Sequence, residues 1–260
     1  MRRAPRCALA PADGARVMQL YVADSGSHRI VRWGAGAAAG QVVAGGNGIG
    51  DGLDQLSYPT GIAVDQDGSV LVVDTRNHRV VRWAAGADEG VAVAGGNGEG
   101  DGLGQLRYPS GIAVDQDGSL LVVDTRNHRV VRWAAGADEG VVVAGGNGIG
   151  DGLDQLSYPT GIAVDQDGSL LVVDGSHRVV RWAAGADGGV VVAGGNGEGG
   201  GLHQLSYPVG IAVDQDGSVL VPDRGSHRVV RWAAGAEEGV EMAGGNGRGD
   251  GLGQLSCPCG

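Results

Sequence analysis

The sequence predicts an all-β fold, namely a β-propeller made of four-stranded blades. Two observations lead to this prediction: a nearly identical sequence recurs about every 50 residues, and each repeat contains four short strand-like segments. The stretch Tyr58–Gly102 returns from Tyr108, from Tyr158 and, slightly shortened, from Tyr207. A period of this length is typical of repeat architectures, in which each unit buries its apolar faces against its neighbours. Since every unit offers the same groups, we expect function to reside in a multiplied surface.

The four strand-like segments are short, rich in β-branched residues and bounded by Gly, Asp or Asn. In the first intact repeat they are Gly61–Asp65, Val70–Asp74, His78–Trp83 and Val91–Ala94. The second segment is continuously apolar, whereas a strand with one solvent-exposed face would alternate apolar and polar residues. We therefore expect it to be covered on both faces, as it is when four-stranded sheets stack around the axis of a propeller.

The connections between the strands predict two chemically different rims. Antiparallel strands place the turns 65–68 and 86–90 on one rim, and the turn 75–77 with the Gly-rich crossover 95–109 on the opposite rim. We expect the first rim to be acidic and the opposite rim to present arginines. The acidic residues of the first rim in this repeat are Asp65, Asp67, Asp88 and Glu89.

The repeats divide residues 1–260 into a single propeller domain with five blades. Their approximate bounds are 5–57, 58–107, 108–157, 158–206 and 207–256. The stretch Pro5–Gly14 resembles an eroded first strand, and residues 257–260 either begin a further repeat or close the ring. Two alternatives stay open: a closed five-bladed ring, in which residues 258–260 lie near Cys7, or a fragment of a six-bladed or longer array.

Composition limits the classes of function. The net charge of −11 disfavours RNA and other nucleic acids as partners, because neutralising phosphates needs a basic field. The 53 glycines recur at fixed places, which indicates ordered turns. Three cysteines do not indicate a disulfide framework. We find no apolar run long enough to span a membrane and no signal peptide, so a membrane partner is not expected and a cytoplasmic location is favoured.

The motif P-T-G-I-A-V-D-Q-D-G-S-V-L-V-V-D-T-R-N-H-R-V-V-R-W, at residues 59–83, resembles the NHL repeat. The Gly-Asp-Gly connection that follows is similar to the spacer of NHL proteins with extended repeats, including the NHL domains of tripartite-motif proteins. This resemblance implies a β-propeller, commonly six-bladed. Family members include protein- and RNA-binding modules of ubiquitin ligases, sensor domains of bacterial kinases and the peptide-amidating lyase. The resemblance therefore implies the fold more strongly than the activity.

An Asp/His pair recurs at the turn between the second and third strands. A general base oriented by a carboxylate would have this composition, and so would a structural hydrogen-bonding turn. Five copies at equivalent turns favour the structural interpretation. The pairs are Asp24 and His28, Asp74 and His78, Asp124 and His128, Asp174 and His177, and Asp223 and His227.

Three further motifs have ordinary interpretations. The D-Q-D-G turn at residue 65 begins like a calcium loop but lacks the later ligands, so we interpret it as a hairpin turn. The loop Gly45–Leu53 partly matches Gly-rich ligand loops without their structural context. Cys257 and Cys259 form an isolated pair without a second ligand cluster. We therefore predict no cofactor and no metal.

The expected function is that of a non-catalytic scaffold that binds a protein or an acidic peptide through the arginine-bearing rim, because guanidinium groups suit carboxylates. One alternative is the substrate-recognition fragment of an NHL-type ubiquitin ligase or an RNA-binding NHL module; another is a propeller lyase or hydrolase with a metal in its central channel. No enzyme is predicted, because the residues that differ between blades form no recognisable catalytic set. The predicted binding arginines are Arg76, Arg79, Arg126, Arg129, Arg178, Arg224 and Arg228.

Overall fold

A computed structural model describes residues 6–9 and 19–259. The chain forms two compact units. The first unit contains the described residues up to Val122 together with Trp133–Val141, and the second contains Val123–Arg132 with the described residues from Val142 onward. In this part of the chain no helix is long and apolar enough to cross a membrane.

The predicted all-β fold of four-stranded blades is confirmed: the strands form five antiparallel sheets of four strands each. The first sheet contains β1 (Arg6–Leu9), β2 (Gln19–Asp24), β3 (Arg29–Gly34) and β4 (Gln41–Gly45). The second sheet contains β5 (Pro59–Val64), β6 (Val70–Asp74), β7 (Arg79–Trp83) and β8 (Val91–Gly95). The third sheet contains β9 (Ile112–Val114), β10 (Leu120–Asp124), β11 (Arg129–Trp133) and β12 (Val141–Gly145).

The fourth and fifth sheets follow the same order along the chain. The fourth contains β13 (Gly161–Val164), β14 (Leu170–Asp174), β15 (Arg178–Trp182) and β16 (Val190–Gly194). The fifth contains β17 (Ala212–Val213), β18 (Val219–Asp223), β19 (Arg228–Trp232) and β20 (Val240–Gly244). In the first three sheets a short 3-10 turn joins the second and third strands, at Ser25–Ser27, Thr75–Asn77 and Thr125–Asn127.

The second strand of each sheet lies in the core. Every residue of β6, β10 and β14 is buried, as the continuous apolar run predicts. In the first unit, Val72 packs in a cluster with Tyr21, Ile30 and Trp83, which joins side chains of two consecutive sheets. In the second unit, Val221 and its neighbours form the corresponding cluster. Because each sheet alone would expose these side chains, consecutive sheets depend on one another for their burial.

The D-Q-D-G turn is a tight hairpin turn. The Gly68 N–H donates to the Asp65 carbonyl, and Gly68 adopts a φ of 82° that suits glycine. The Asp67 carboxylate accepts the Ser69 N–H at 2.9 Å and pairs with Arg82 at 2.5 Å. The acidic rim residues of this turn are therefore partly neutralised by the third strand of their own sheet.

The first predicted strand of the first repeat is present as β1, whose Cys7 lies opposite Val22 of β2. Residues 10–14 of the same segment, and Gly260, lie outside the described residues. The number of blades that completes the ring stays a prediction.

Candidate ligand-binding surface

In the second, fourth and fifth sheets, the Asp that ends the second strand is a buried anchor for the crossover. Asp74 is fully buried, and its carboxylate accepts hydrogen bonds from the Ser57 N–H at 2.6 Å and from the Asn77 amide at 2.8 Å. Burial raises the pKa of Asp74, and these hydrogen bonds oppose that shift. Asp223 receives the equivalent bond from the Ser206 N–H at 2.7 Å. The Asp thus holds the crossover segment against the sheet.

In the second to fifth sheets, the first arginine of the third strand is buried, contrary to prediction. The Arg79 Nε lies 2.8 Å from the Asp74 carboxylate, and its terminal nitrogens donate to the carbonyls of Asp51, Gly52 and Gln55. A buried carboxylate needs a counter-charge, and buried carbonyls need donors, and this side chain supplies both. Such guanidinium groups cannot form an exposed binding rim. Those concerned, with their exposed fractions, are Arg79 (7%), Arg129 (6%), Arg178 (4%) and Arg228 (2%).

The His of each turn binds the next crossover rather than the Asp. His78 has a φ of 53°, and its Nδ1 accepts the backbone N–H of Tyr108 at 3.1 Å. Since Nδ1 is the acceptor, the ring proton of a neutral His78 resides on Nε2. The arrangement recurs where His28 faces Tyr58, His128 faces Tyr158, His177 faces Tyr207 and His227 faces Cys257.

A tyrosine at the end of each crossover is the main surface feature that sequence reasoning missed. Tyr108, Tyr158 and Tyr207 are 39%, 45% and 59% exposed, and Tyr58 is half-buried. All four have a positive φ, between 41° and 52°. A bulky residue in this region is strained, and such strain concentrates at functional sites. The available signal was that four of the five tyrosines stand in the same Tyr-Pro pair.

Three of the seven predicted arginines remain exposed: Arg76, Arg126 and Arg224. In the first unit, the guanidinium of Arg76 lies 3.8 Å from the centroid of the Tyr58 ring. In the second unit, the guanidinium of Arg126 lies 6.0 Å from the Tyr158 centroid. Both distances allow a cation–π interaction. Exposed arginine and tyrosine side chains therefore share this edge of the sheets.

Two glutamates near these tyrosines were also missed. In the first unit, the Glu99 carboxylate lies 2.8 Å from the Arg107 Nε and 3.6 Å from the His78 Nε2. In the second unit, Glu198 accepts a hydrogen bond from the Ser206 hydroxyl at 3.1 Å, and the His177 Nε2 lies 3.8 Å away. Ile49 and Ile149 occupy the corresponding places in two other crossovers, so the glutamates are specific to individual repeats.

The remaining candidate motifs hold the backbone together. In the loop Gly45–Leu53, Asn47 accepts a hydrogen bond through its carbonyl from Gln55 at 2.9 Å. The side chains of Cys257 and Cys259 are half-buried. In residues 6–9 and 19–259, no group of three or more His, Cys, Asp or Glu side chains is placed to hold a metal ion.

Sheets with this strand order and this buried second strand are blades of a β-propeller. The sequence matches the NHL repeat family at residues 56–83, 106–133 and 205–232. These three segments are NHL repeats, as the motif predicted. No curated protein matches the sequence.

Solved structures share the fold at low sequence identity. A chain of the nidogen/laminin complex is 20% identical with a TM-score of 0.63, over 86% of this chain and 74% of that chain. A gluconolactonase from Xanthomonas campestris is 16% identical with a TM-score of 0.63, over 93% and 73%. A catalytically inactive virginiamycin B lyase from Staphylococcus aureus, solved with quinupristin, is 14% identical with a TM-score of 0.51, over 89% and 71%.

These comparisons correct one prediction. The chain was expected not to be an enzyme, because its repeats contain no recognisable catalytic set. That inference is wrong, since similar propellers include a gluconolactonase and a lyase. Their identities are too low to transfer an activity, and they show the fold alone.

Proposed function

We propose that this protein binds a segment of a partner protein on its tyrosine surface, which we define as the exposed side chains of Tyr158, Tyr207 and Arg126 in the second unit. The observation that carries the proposal is the exposure of Tyr158 and Tyr207 at a strained, positive φ. Their rings lie outside the buried core, so folding alone does not account for an aromatic residue at these positions. In the first unit, Tyr58, Tyr108 and Arg76 form the counterpart.

The residue types of the tyrosine surface favour a protein ligand. Tyrosine and arginine are enriched among the residues that contribute most to binding at protein interfaces. A tyrosine offers a large apolar contact with a polar hydroxyl group and loses little conformational entropy on binding. The rings of Tyr158 and Tyr207 are already oriented by edge-on contact with His128 and His177, at centroid distances of 4.6 and 5.1 Å. Such orientation before binding lowers the entropic cost of association.

The exposed arginines favour acidic residues in the partner. Arg76, Arg126 and Arg224 keep this role, whereas the four buried arginines are already used within the fold. The attraction is accordingly weaker than a ring of seven arginines would give, and we expect it to weaken further as salt screens the charges. One similar structure belongs to a complex between two proteins, which agrees with a binding role for this fold.

The test is a displayed peptide library selected against the protein, followed by affinity measurement of the recovered peptides. The double variant Tyr158→Asn and Tyr207→Asn removes both rings, and asparagine tolerates the positive φ at these two positions. We expect about a tenfold loss of affinity or more, as for loss of central interface aromatics. Val190→Asn, at a 66% exposed position of β16, is the matched control. Equal binding by the double variant, or failure to select any peptide, would contradict the proposal.

A second candidate is an enzymatic activity, favoured by the cluster of Ser206, Glu198 and His177. The Ser206 hydroxyl donates to Glu198 at 3.1 Å, the His177 Nε2 lies 3.8 Å from the same carboxylate, and similar propellers include a gluconolactonase and a lyase. Turnover of gluconolactone or quinupristin by the purified protein, lost in His177→Asn, would establish this activity. Absence of turnover of both compounds would leave peptide binding as the function to pursue.

A further inference from the structure

We infer that Glu198 and Tyr207 form a subsite for a cationic side chain, arginine above all, of the bound protein segment. The inference rests on the proposed function, because the cation belongs to that segment. It adds a specific requirement: the partner carries a basic residue where it meets the fifth sheet, in addition to the acidic residues that the exposed arginines favour.

The first step is the charge of Glu198. Its side chain is 48% exposed, and its contacts in the described residues are the Ser206 hydroxyl at 3.1 Å and the His177 Nε2 at 3.8 Å. The second distance is too long for a hydrogen bond. His177 accepts the Tyr207 N–H through Nδ1, an arrangement available to the neutral ring. Neither partner is an arginine, so the negative charge of Glu198 is open to a ligand.

The second step is the equivalent glutamate of the first unit, which is already neutralised. Glu99 occupies the same place nine residues before a tyrosine, and the Arg107 Nε lies 2.8 Å from its carboxylate. The residue that corresponds to Arg107 is Ser206. The first unit thus shows that a guanidinium fits against this carboxylate, and the exchange of Arg107 for Ser206 distinguishes the neutralised carboxylate from the open one.

The third step is the aromatic ring. In the second sheet, Arg76 follows Tyr58 by 18 residues and places its guanidinium 3.8 Å from the ring centroid. The residue 18 positions after Tyr207 is Gly225, which has no side chain to cover the ring. Tyr207 is accordingly 59% exposed, and no arginine lies over it in the described part of the chain. A partner arginine can take the position that Arg76 takes over Tyr58.

Together, these steps give a cation two favourable contacts around His177, whose Nε2 lies 3.8 Å from Glu198 and whose ring centroid lies 5.1 Å from that of Tyr207. A carboxylate supplies the charge-assisted hydrogen bonds, and an aromatic face supplies the cation–π attraction. Arginine suits this combination better than lysine, because its planar guanidinium can stack and donate at the same time. The remaining surface sites differ in chemistry: Tyr158 has Ile149 nearby in sequence and Arg126 near its ring.

The probe is N-acetyl-arginine amide, titrated into the full chain while NMR follows the ring signals of Tyr207 and His177. The control probe is N-acetyl-citrulline amide, which has nearly the same shape without the charge. We expect the arginine probe to bind about tenfold more tightly, from charge and cation–π attraction combined. Equal affinity for the two probes would overturn the inference.

Variants separate the subsite from general effects on folding. Ser206→Arg supplies an internal guanidinium, as Arg107 does for Glu99, and should reduce the affinity for the arginine probe about tenfold. Glu198→Ile introduces the residue that stands at Ile149 and should have the same effect. Unchanged binding by both Ser206→Arg and Glu198→Ile would contradict the inference.

The outcomes also distinguish this inference from the proposed function. If library peptides bind through Tyr158 and Tyr207 but arginine and citrulline probes bind equally, the subsite is wrong and the peptide surface stands. If the arginine probe binds and Ser206→Arg weakens it, while no library peptide depends on the tyrosines, the subsite stands as an isolated cation site and the peptide-binding function is wrong.

Discussion

Arg76 and Arg79 lie three residues apart in the second sheet, and their side chains occupy opposite environments. Arg76 is exposed, with its guanidinium over the ring of Tyr58. Arg79 is 7% exposed and bonded to Asp74 and to carbonyls of the crossover. Both were predicted to lie on one binding rim. Their difference shows that residue type and proximity to a turn do not decide whether a charged side chain is available to a ligand.

The backbone between the two arginines provides the reason. His78 adopts a left-handed conformation at the end of the Thr75–Asn77 turn, and β7 begins at the next residue, directly opposite Asp74. Arg79 is thus fixed in the sheet beside a buried carboxylate, where it stabilises the ionised pair. Arg76 stands in the turn itself, where the chain is accessible. Arg79 therefore serves the fold from the first position of β7, whereas Arg76 stands in the turn with its guanidinium over Tyr58.

The largest effect is expected from replacing Arg79, the buried arginine. Arg79→Ala leaves the Asp74 carboxylate buried without its counter-charge and removes a donor from the carbonyls of Asp51, Gly52 and Gln55, of which Gly52 keeps the Gln55 N–H. We expect a loss of about 3–5 kcal/mol in the free energy of unfolding, measured by urea denaturation. Arg76→Ala is the matched control and should change it by about 0.5 kcal/mol, as is usual for surface substitutions. A similar loss in both variants would show that Arg76 and Arg79 contribute equally to stability.

A second test concerns Gly225, which stands where Arg76 stands in the second sheet. A Cβ at this position would lie 2.8 Å from the Ser206 carbonyl oxygen and even closer to the Ser206 hydroxyl. We expect Gly225→Ala to cost about 1–3 kcal/mol in thermal or urea unfolding, because the crossover must shift. Ser226→Ala, at the next turn position, is the control. If Gly225→Ala leaves the free energy of unfolding unchanged, the turn of the fifth sheet accepts a side chain at this position.

A third test concerns the His that separates the two arginines. His78→Ala leaves the Tyr108 N–H without its acceptor, which we expect to cost about 1–3 kcal/mol. His78→Asn should recover part of this loss, because Asn tolerates the left-handed conformation and offers an acceptor. If Ala and Asn destabilise the protein equally in urea unfolding, the histidine contributes through ring packing rather than through its hydrogen bond.

Much of the fold could be predicted from the sequence. The continuous apolar run of β6 and the glycine at position 68 determine a buried strand and a tight turn through local chemistry alone. The candidate site was harder to predict, because its chemistry depends on contacts between residues that are distant in sequence. Arg79 is buried by carbonyls of residues 51–55, and Tyr108 is positioned by His78, thirty residues earlier. The arginine at position 107, where other repeats have serine, is visible in the sequence, but its contact with Glu99 is not.

The smallest effect is expected at acidic pH, where two kinds of aspartate respond in opposite directions. Hydrogen bonds from Ser69, together with Arg82, lower the pKa of Asp67 below 3.8, and Asp167 and Asp216 are lowered in the same way. A carboxylate with a lowered pKa in the folded state contributes stability above its unfolded pKa and loses it as the pH falls through the folded value. Burial raises the pKa of Asp74 and Asp174, so their contribution is present at low pH and is lost as the pH rises through the folded value.

Asp67→Asn isolates the first kind, because the amide keeps an acceptor for Ser69 and does not titrate. Thermal unfolding of the wild type and of this variant should be compared from neutral pH to below pH 3.8, the ordinary pKa of an aspartate side chain. We expect the Tm difference between them to be largest near neutral pH and to narrow on acidification, since only the wild type loses the benefit of an ionised Asp67. Val91→Asn, at a 65% exposed position of β8 away from the turn, is the control and should parallel the wild type at every pH. If the Tm difference between Asp67→Asn and the wild type stays constant with pH, the backbone hydrogen bonds hold the turn. In that case the charge of Asp67, unlike that of Asp74, contributes little to the stability of the sheet.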